Sequence, residues 1–504
     1  MSTFSNYTTS LFYNDFLFLI PELFFLFSLI FGFFFILICS TQYGAFWDSR
    51  VSYWFCFFLL TFFCALCCSR PVKTFSVFYN SIVYSPYTFY IISMGLGIFL
   101  FTWLVLHSYF QIIHFSFEFF FLVLCSFWGL YCLIISSDFL TFFISLEIFS
   151  LPAYVLAVSK QYAYLSSEAA LKYLVLGSFS SSLILLGLSL IYLVSGVSSF
   201  SDLFSFILLY SSSSHSESFL YYIFFLGWLF FFSGLCFKIG VVPFHMWLPD
   251  IYSGISYPVL LFYSIVTKFF LLLLLVRLVY VFGAFLPLYF NFFFLFLGIS
   301  SLIVGTFGAI YQIKIKRLFA YSSFSNVSFF FACFYFINFS SLFAVLISIF
   351  LYCFIMIGIL GFFSSFYNFS LGKFVSSIYS FSGLFHHNKL LSFIIFFLLM
   401  SIAGVPPLAG FFGKYFVLWV MLFDGQIILA LIFLLFTVIS AFYYFRLIKL
   451  VFFESNQDCK YFFKPLSSIT GYVLFFNLFF TIFFILVFDF ITSYFFLLTL
   501  NFFL

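Results

Sequence analysis

Apolar residues run along this chain in blocks of roughly 20, each long enough to cross a ~30 Å hydrocarbon layer as a helix. Short polar or Pro/Gly-rich breaks divide them, the clearest being Thr41–Arg50, Ser195–Ser218, Asn368–Asn388 and Glu454–Ser468. The pattern predicts fourteen helices, centred near residues 28, 60, 97, 125, 148, 181, 235, 269, 298, 326, 355, 404, 439 and 482. An open sheet cannot satisfy its backbone in lipid, and the alternating segments of a membrane barrel are absent. The expected fold class is all-α and polytopic.

Two long apolar segments read as broken helices, the seventh and the twelfth. Phe219–Asp250 contains Lys238, Gly240, Pro243 and His245, and Leu390–Met421 contains Gly404, Pro406, Pro407, Gly410, Gly413 and Lys414. Proline removes a donor and clashes with the preceding turn, so each segment should unwind locally. Backbone freed inside a membrane is tolerated where it is buried in protein or lines a polar cavity. Paired interrupted segments five helices apart are the signature of an inverted structural repeat; two proline kinks spaced alike by accident are the plainer alternative.

Composition sharpens this picture. Hydrophobic residues make up 66% of the 504 and charged residues only 6%, against about 25% charged in soluble domains. Phenylalanine occurs 101 times, a bias expected from a T-rich organellar gene because lipid-facing positions accept Phe, Leu or Ile alike. Met1–Asn14 contains no Arg and does not resemble a transit peptide; the run from Phe16 is too long for a secretory signal. The net charge of +4 comes with no long basic run, and nothing points to nucleic acid. Among the eleven cysteines the only cluster, Cys64, Cys67 and Cys68, lacks a second half with metal-ligand spacing, so the thiols read as small buried hydrophobes.

Basic loop residues set an orientation. With fourteen crossings, Arg50, Lys160, Lys314, Lys316, Arg317, Lys373, Lys389, Lys460 and Lys464 fall on one side, and chiefly Arg70 and Lys73 on the side holding the termini. The first side is then the matrix or cytoplasmic face.

Four ionisable residues lie deep in apolar runs: Glu147, Lys238, Lys268 and Lys414. A charge at mid-bilayer costs about 2.5–3.5 kcal/mol on the gentlest scale, so such residues usually mark ion or proton pathways. Glu147 paired with a lysine would act as a switch between a closed ion pair and a separated state; the alternative is a structural helix–helix hydrogen bond. Lys238, at the break, would be loaded or unloaded as a carboxylate moves, unless it snorkels to an interface. Lys268 would relay laterally and Lys414 would be a terminal carrier and the counterpart of Lys238; fixed packing charges are the alternative for both.

Weaker candidates surround these four. Lys172 sits four residues after Glu168, which suits a local salt bridge, or it tunes Glu147. His245 joins a water chain or is a satisfied structural histidine. Glu118, Arg277, Arg446 and Asp489 read as anchors near helix ends. No dinucleotide fingerprint, P-loop or iron–sulfur framework is present, and His107 with His114 offers no haem pattern.

Several stretches resemble the antiporter-like subunits of respiratory complex I over much of residues 20–450. They are Leu19–Leu23 with Pro21 and Glu22, Asp138–Ala157 around Glu147 and Pro152, Ser167–Ser181 with Glu168 and Lys172, Phe237–Tyr252 with Lys238, Pro243, His245 and Asp250, Lys316–Ser323, and Ala403–Lys414. The combination is specific, although single pieces are not. Within that family one member carries an acid where Lys414 stands, and another continues into a long lateral helix for which this chain leaves no room.

The resemblance implies proton translocation, with Glu147 and Lys238 as paired switch, Lys268 as relay, Lys414 as terminal carrier, and Lys172 and His245 in support. It implies residues 1–112 as three N-terminal helices, 113–283 and 284–453 as two inverted five-helix units, and 454–504 as a matrix loop and last helix. It further implies the mitochondrial inner membrane, with basic loops in the matrix and both termini in the intermembrane space. No cofactor is expected on this chain; NADH, flavin, iron–sulfur clusters and ubiquinone belong elsewhere in the complex. Expected partners are other antiporter-like and small membrane-arm subunits, accessory subunits and lipids. Two departures are Asn326, where the family usually has histidine, and Met356-Ile357, where it often has Met-Asn. A stand-alone cation/proton antiporter subunit and a purely structural scaffold are the competing readings.

Overall fold

The computed structural model describes residues 15–16, 18–43, 45–70, 73–110, 118–159, 164–212, 219–283, 288–368, 373–454 and 468–503. It is nearly all helix. Helices α1 (Ile20–Tyr43), α2 (Ala45–Cys68) and α3 (Pro86–Phe110) come first, with a hairpin of β1 (Phe75–Val77) and β2 (Ile82–Tyr84) between the last two. Next come α4 (Glu118–Ile135), α5 (Phe139–Ala157), α6 (Tyr164–Ser195), α7 (Phe200–Ser212), α8 (Phe219–Ile239) and α9 (Trp247–Gly254). A continuous rod follows, made of α10 (Tyr257–Leu261), a π-helical turn (Phe262–Val266) and α11 (Thr267–Phe282). After α12 (Leu288–Ile310), α13 (Ile315–Cys333) and α14 (Phe339–Ser364) the strands β3 (Tyr367–Asn368) and β4 (Lys373–Phe374) pair. The chain ends with α15 (Leu384–His387), α16 (Lys389–Ala403), α17 (Ala409–Phe423), α18 (Ile427–Phe452), α19 (Ser468–Ile482) and α20 (Phe484–Phe503).

Among the described residues, eleven helices are long and apolar enough to cross a membrane. The rod Tyr257–Phe282 is the most interior: its most apolar window is entirely buried, and α14 is nearly so. Lipid cannot hydrogen-bond a peptide group, so each crossing closes its backbone bonds within itself. The expected helix centres fall on these elements, except that near 404, which lies in the break between α16 and α17.

Three expectations need correction. The polar stretch Thr41–Arg50 is largely helical, because α1 runs to Tyr43 and α2 resumes at Ala45; polar side chains at a membrane edge do not by themselves end a helix. The Ser-rich stretch Ser195–Ser218 contains α7, which buries Phe200, Leu203 and Ile207 along one stripe. Residues 213–218 lie outside the described residues, as do 455–467 in the expected matrix loop. The last expected helix is two, α19 and α20, joined at Phe483.

Both broken segments end their first halves in the same way. At Gly240 (φ +80°) and Gly404 (φ +91°) the chain turns left-handed, a conformation strained for residues with a Cβ. Gly240 N–H donates to Cys236 and Phe237 carbonyls while Val241 N–H returns to Cys236; Gly404 donates to Met400 and Ser401 while Val405 returns to Met400. This glycine C-cap satisfies carbonyls that would otherwise be orphaned.

Further pairs recur. Arg277 on α11 donates to the Ile134 and Ser136 carbonyls at the end of α4, and Arg446 on α18 donates to the Ile310 carbonyl at the end of α12. Isolated bridges join Asp138 to Ser199 and Lys314 to Ser377. The step from 134 to 310 equals the step from 138 to 314. Gly129 and Gly305 stand the same distance apart, and each lets its helix approach the backbone of the next at Phe149 and Ser325.

A side chain at Gly129 would lie 2.7 Å from the Phe149 Cα and 2.8 Å from the Ile148 carbonyl carbon. Close helix approach at small residues is what holds membrane helices together. Gly129→Leu is therefore expected to push α4 from α5 and cut the amount of folded chain in membranes severalfold, measured by quantitative immunoblotting; unchanged abundance and thermal stability would refute this packing.

Candidate functional site

Glu147 lies on α5 one turn and a half before Pro152. Its Oε2 accepts a 2.9 Å hydrogen bond from Ser150, while Oε1 is buried without a protein partner. Lys238 occupies the last turn of α8, where the negative end of the helix dipole favours a cation. Its Nζ is buried and also unpartnered. No ion pair joins the two among the described residues. Ser150 and Lys238 instead line one small cavity with Tyr154, Tyr173 and Trp247. Among the described residues, Ser150 is the hydrogen-bond partner of the Glu147 side chain.

Lys268 stands two residues after the π-helical turn, a local widening often found at functional positions. It is 2% exposed, donates a 2.6 Å hydrogen bond to Ser323 on α13, and lies 5.8 Å from the Tyr252 ring centre on α9. That bond links α11 to α13. Ser323 stands one repeat step after Glu147, at the position of the acid in the first half.

Lys414 is not at its break in sequence: it sits ten residues beyond Gly404, on α17. Its Nζ reaches back to the carbonyls of Ile402 (2.8 Å) and Ala403 (3.0 Å), the last residues of α16. The expected likeness to Lys238 is therefore partial. Lys238 lies in the last turn of its half-helix with its ammonium unpartnered, whereas Lys414 reaches the carbonyl end of α16 from its continuation. Two cavities flank Lys414. One, of about 40 Å³, is lined by Asn326, Ser348 and Tyr352 together with a larger apolar share from Phe329, Phe330, Leu351, Ile355 and Ile402. The other is lined by Thr306, Ser325, Asn326, Ser440, Tyr443 and Tyr444.

His245, 7% exposed, lies between the two halves of the broken segment, with Nδ1 unpartnered and its ring edge-on to Phe324 at 5.4 Å. Lys172 is held away from Glu147. It pairs with Glu168 at 2.7 Å, as the spacing suggests, and with Asp250 at 3.0 Å. Arg277 and Arg446 are helix caps, Glu118 begins α4, and Asp489 is exposed on α20. His107 packs beside Tyr53 and Trp54, while His114 lies outside the described residues.

Sequence reasoning missed several groups that only packing brings together. Tyr352 and Tyr444 hydroxyls, buried without partners, face the Lys414 cavities. Tyrosine at such spacing is indistinguishable from core in a chain this aromatic. Far from the lysine row, Glu22 on α1 is 4% exposed and accepts from Arg70 (2.6 Å), Tyr84 and Tyr131, a fully satisfied buried acid. Asn326, one of the two departures, touches both cavities beside Lys414; Ile357, the other, is buried.

Removing the Ser323 hydroxyl would leave the Lys268 ammonium without its hydrogen-bond acceptor in a dry interior. Ser323→Ala is expected to lower stability by about 1–3 kcal/mol, read as a fall in the thermal midpoint of the detergent-solubilised protein. A midpoint equal to wild type would mean that Lys268 has another acceptor.

Residues 136–440 match the family described as NADH:quinone oxidoreductase/Mrp antiporter, transmembrane. The NADH-quinone oxidoreductase subunit N of a Wolbachia species is 34% identical over 342 residues, covering 67% of this chain and 70% of the relative. The NADH-ubiquinone oxidoreductase chain 2 of Marchantia polymorpha is 32% identical over 373 residues, 73% of each. A chain of the respiratory complex I of Thermus thermophilus shares the fold with a TM-score of 0.72 at 23% identity, over 92% of this chain and 98% of that one.

Proposed function

The chain belongs to the NADH:quinone oxidoreductase/Mrp antiporter membrane family, and from that membership we propose that it is a proton-translocating membrane-arm subunit of respiratory complex I, of the chain 2 or subunit N kind. The observation that carries this reading is the interior row of lysines Lys238, Lys268 and Lys414, with polar groups beside each. Lys238 shares a cavity wall with the serine that holds Glu147. Lys268 bonds Ser323 across the two halves. Lys414 stands between two cavities lined by hydroxyls and Asn326.

In this reading Glu147 and Lys238 form the switch. When the acid approaches, it stabilises the ammonium; when it retreats to Ser150, Lys238 gives up its proton. Lys268 receives it beneath Tyr252, and Ser323 with Tyr352 leads towards Lys414, from which it leaves the axis. His245 and the Lys172 network support the path. Residues 113–283 and 284–453 are the two inverted units, supported by the matched glycine caps, arginine caps and bridges. Each proton moved against 100 mV requires about 2.3 kcal/mol, supplied by NADH oxidation and quinone reduction on other subunits, where flavin and iron–sulfur clusters also reside. The setting is the mitochondrial inner membrane, with the ends bearing Lys314, Lys316 and Arg317 in the matrix and both termini opposite. Other membrane-arm subunits, accessory subunits and lipids surround the chain.

The test is substitution in the assembled complex. Lys238→Met and Glu147→Gln are each expected to cut NADH-driven proton uptake by membrane vesicles at least tenfold (about 1.4 kcal/mol), with assembled complex at wild-type amounts. Wild-type uptake would leave only a scaffold. The family also includes antiporters, so a chain that purifies with cation/proton exchange activity and no NADH-oxidising assembly would favour the stand-alone reading.

A further inference from the structure

The half-helix α9 is eight residues long, yet it meets both neighbouring lysines of the row. Trp247, at its start, lines the cavity of Lys238. Tyr252, one turn further on, faces Lys268 at 5.8 Å. The position of these two turns therefore sets the surroundings of two successive lysines. Its own charge, Asp250, contacts neither of them.

Asp250 is held from two sides. Its Oδ2 accepts from Lys172 on α6 at 3.0 Å, and its Oδ1 from Arg317 on α13 at 2.8 Å. Lys316, the residue before Arg317, is 8% exposed, donates to the Ile255 carbonyl just beyond α9 and lies 4.3 Å from the Tyr257 ring centre. Adjacent residues of α13 thus grip both the flank and the carbonyl end of α9. Because α6 belongs to the first half and α13 to the second, the one acid is shared between the halves.

The register of the two breaks makes Asp250 more than a surface charge. Asp250 lies ten residues after Gly240, and Lys414 lies ten residues after Gly404; Pro243 and Pro407 also correspond. Asp250 therefore occupies, in the first half, the place that Lys414 occupies in the second. Lys414 folds back onto its own half-helix end, whereas Asp250 faces outward to two cations.

We propose that Asp250, shared between Lys172 and Arg317, is a positioning residue that sets α9 and through it the exchange between Lys238 and Lys268. This rests on the proton-path reading above. The pairs are half-exposed and individually weak, which suits a bias between two arrangements better than a lock. A shift of Asp250 towards Lys172 or towards Arg317 moves α9 against one lysine or the other, so the second half influences the switch in the first without touching it.

The experiment compares Asp250→Asn, Asp250→Glu, Asp250→Arg, Arg317→Asp and the exchange Asp250→Arg with Arg317→Asp, all in the assembled complex in its membrane. Proton uptake and NADH:quinone turnover are normalised to assembled complex and followed across pH. Asp250→Asn is expected to lower uptake roughly three- to tenfold and to shift the pH profile of turnover. Asp250→Glu should restore most of it, and the exchange should exceed either of its single substitutions. Wild-type uptake and pH profile in Asp250→Asn would overturn the proposal. So would a loss with an unmoved pH profile and no recovery in the exchange, which marks a role in folding alone. Lys238→Met run alongside separates the two levels: if it is silent, the proton path itself fails; if it abolishes uptake while Asp250→Asn does not, only the positioning role fails.

Discussion

Inside a bilayer a helix that stops has nothing to give its last carbonyls, and the two interrupted segments of this chain are organised around that constraint. A left-handed glycine returns two N–H groups to the final turn at each break. The remaining carbonyl end, electronegative and dry, is a place where a lysine can stay inside a membrane at tolerable cost. Lys414 occupies it, donating to the Ile402 and Ala403 carbonyls, while Lys238 sits in the last turn of its own half-helix with its ammonium unpartnered. The break at Gly404 thus holds one ammonium against its carbonyls, and the break at Gly240 has another in its last turn.

The same constraint explains the repeat. Matching breaks call for matching supports, and these recur with Arg277 and Arg446 closing on helix ends, and Gly129 and Gly305 admitting the next backbone. The chemistry is not repeated as strictly. Where the first half has Glu147 the second has Ser323, and where the second has Lys414 the first has Asp250. The matched positions therefore carry different charges, and Lys268 is bonded to Ser323.

Much of this was legible in the sequence because burial in lipid leaves so few permitted patterns. The long apolar runs gave the helices, and Pro243, Gly240, Gly404 and Pro407 gave the breaks. Glu147, Lys238, Lys268 and Lys414 stood out because a charge there has no cheap explanation. What stayed hidden depends on distance between segments. Asp250 read as a polar end to a helix, and Lys316 and Arg317 as loop charges useful only for orientation, because nothing in their spacing shows that they meet. Tyr352 and Tyr444 were masked by a composition in which aromatic residues are 28% of the chain. The helix α7 was hidden by serines that face outward while Phe200, Leu203 and Ile207 face in.

The wholly buried rod from Tyr257 to Phe282 has a consequence for how the protein is made. It carries Lys268 and Arg277, together about 5–7 kcal/mol against insertion, and its run of Leu, Phe and Val returns a similar amount at about 0.3–0.6 kcal/mol per residue. On leaving the ribosome this segment is nearly indifferent between water and lipid. What commits it is the company of Ser323, the end of α4, and the helices that later enclose it. The most central helix of the finished molecule thus carries two charges whose partners lie on other helices, Ser323 for Lys268 and the end of α4 for Arg277.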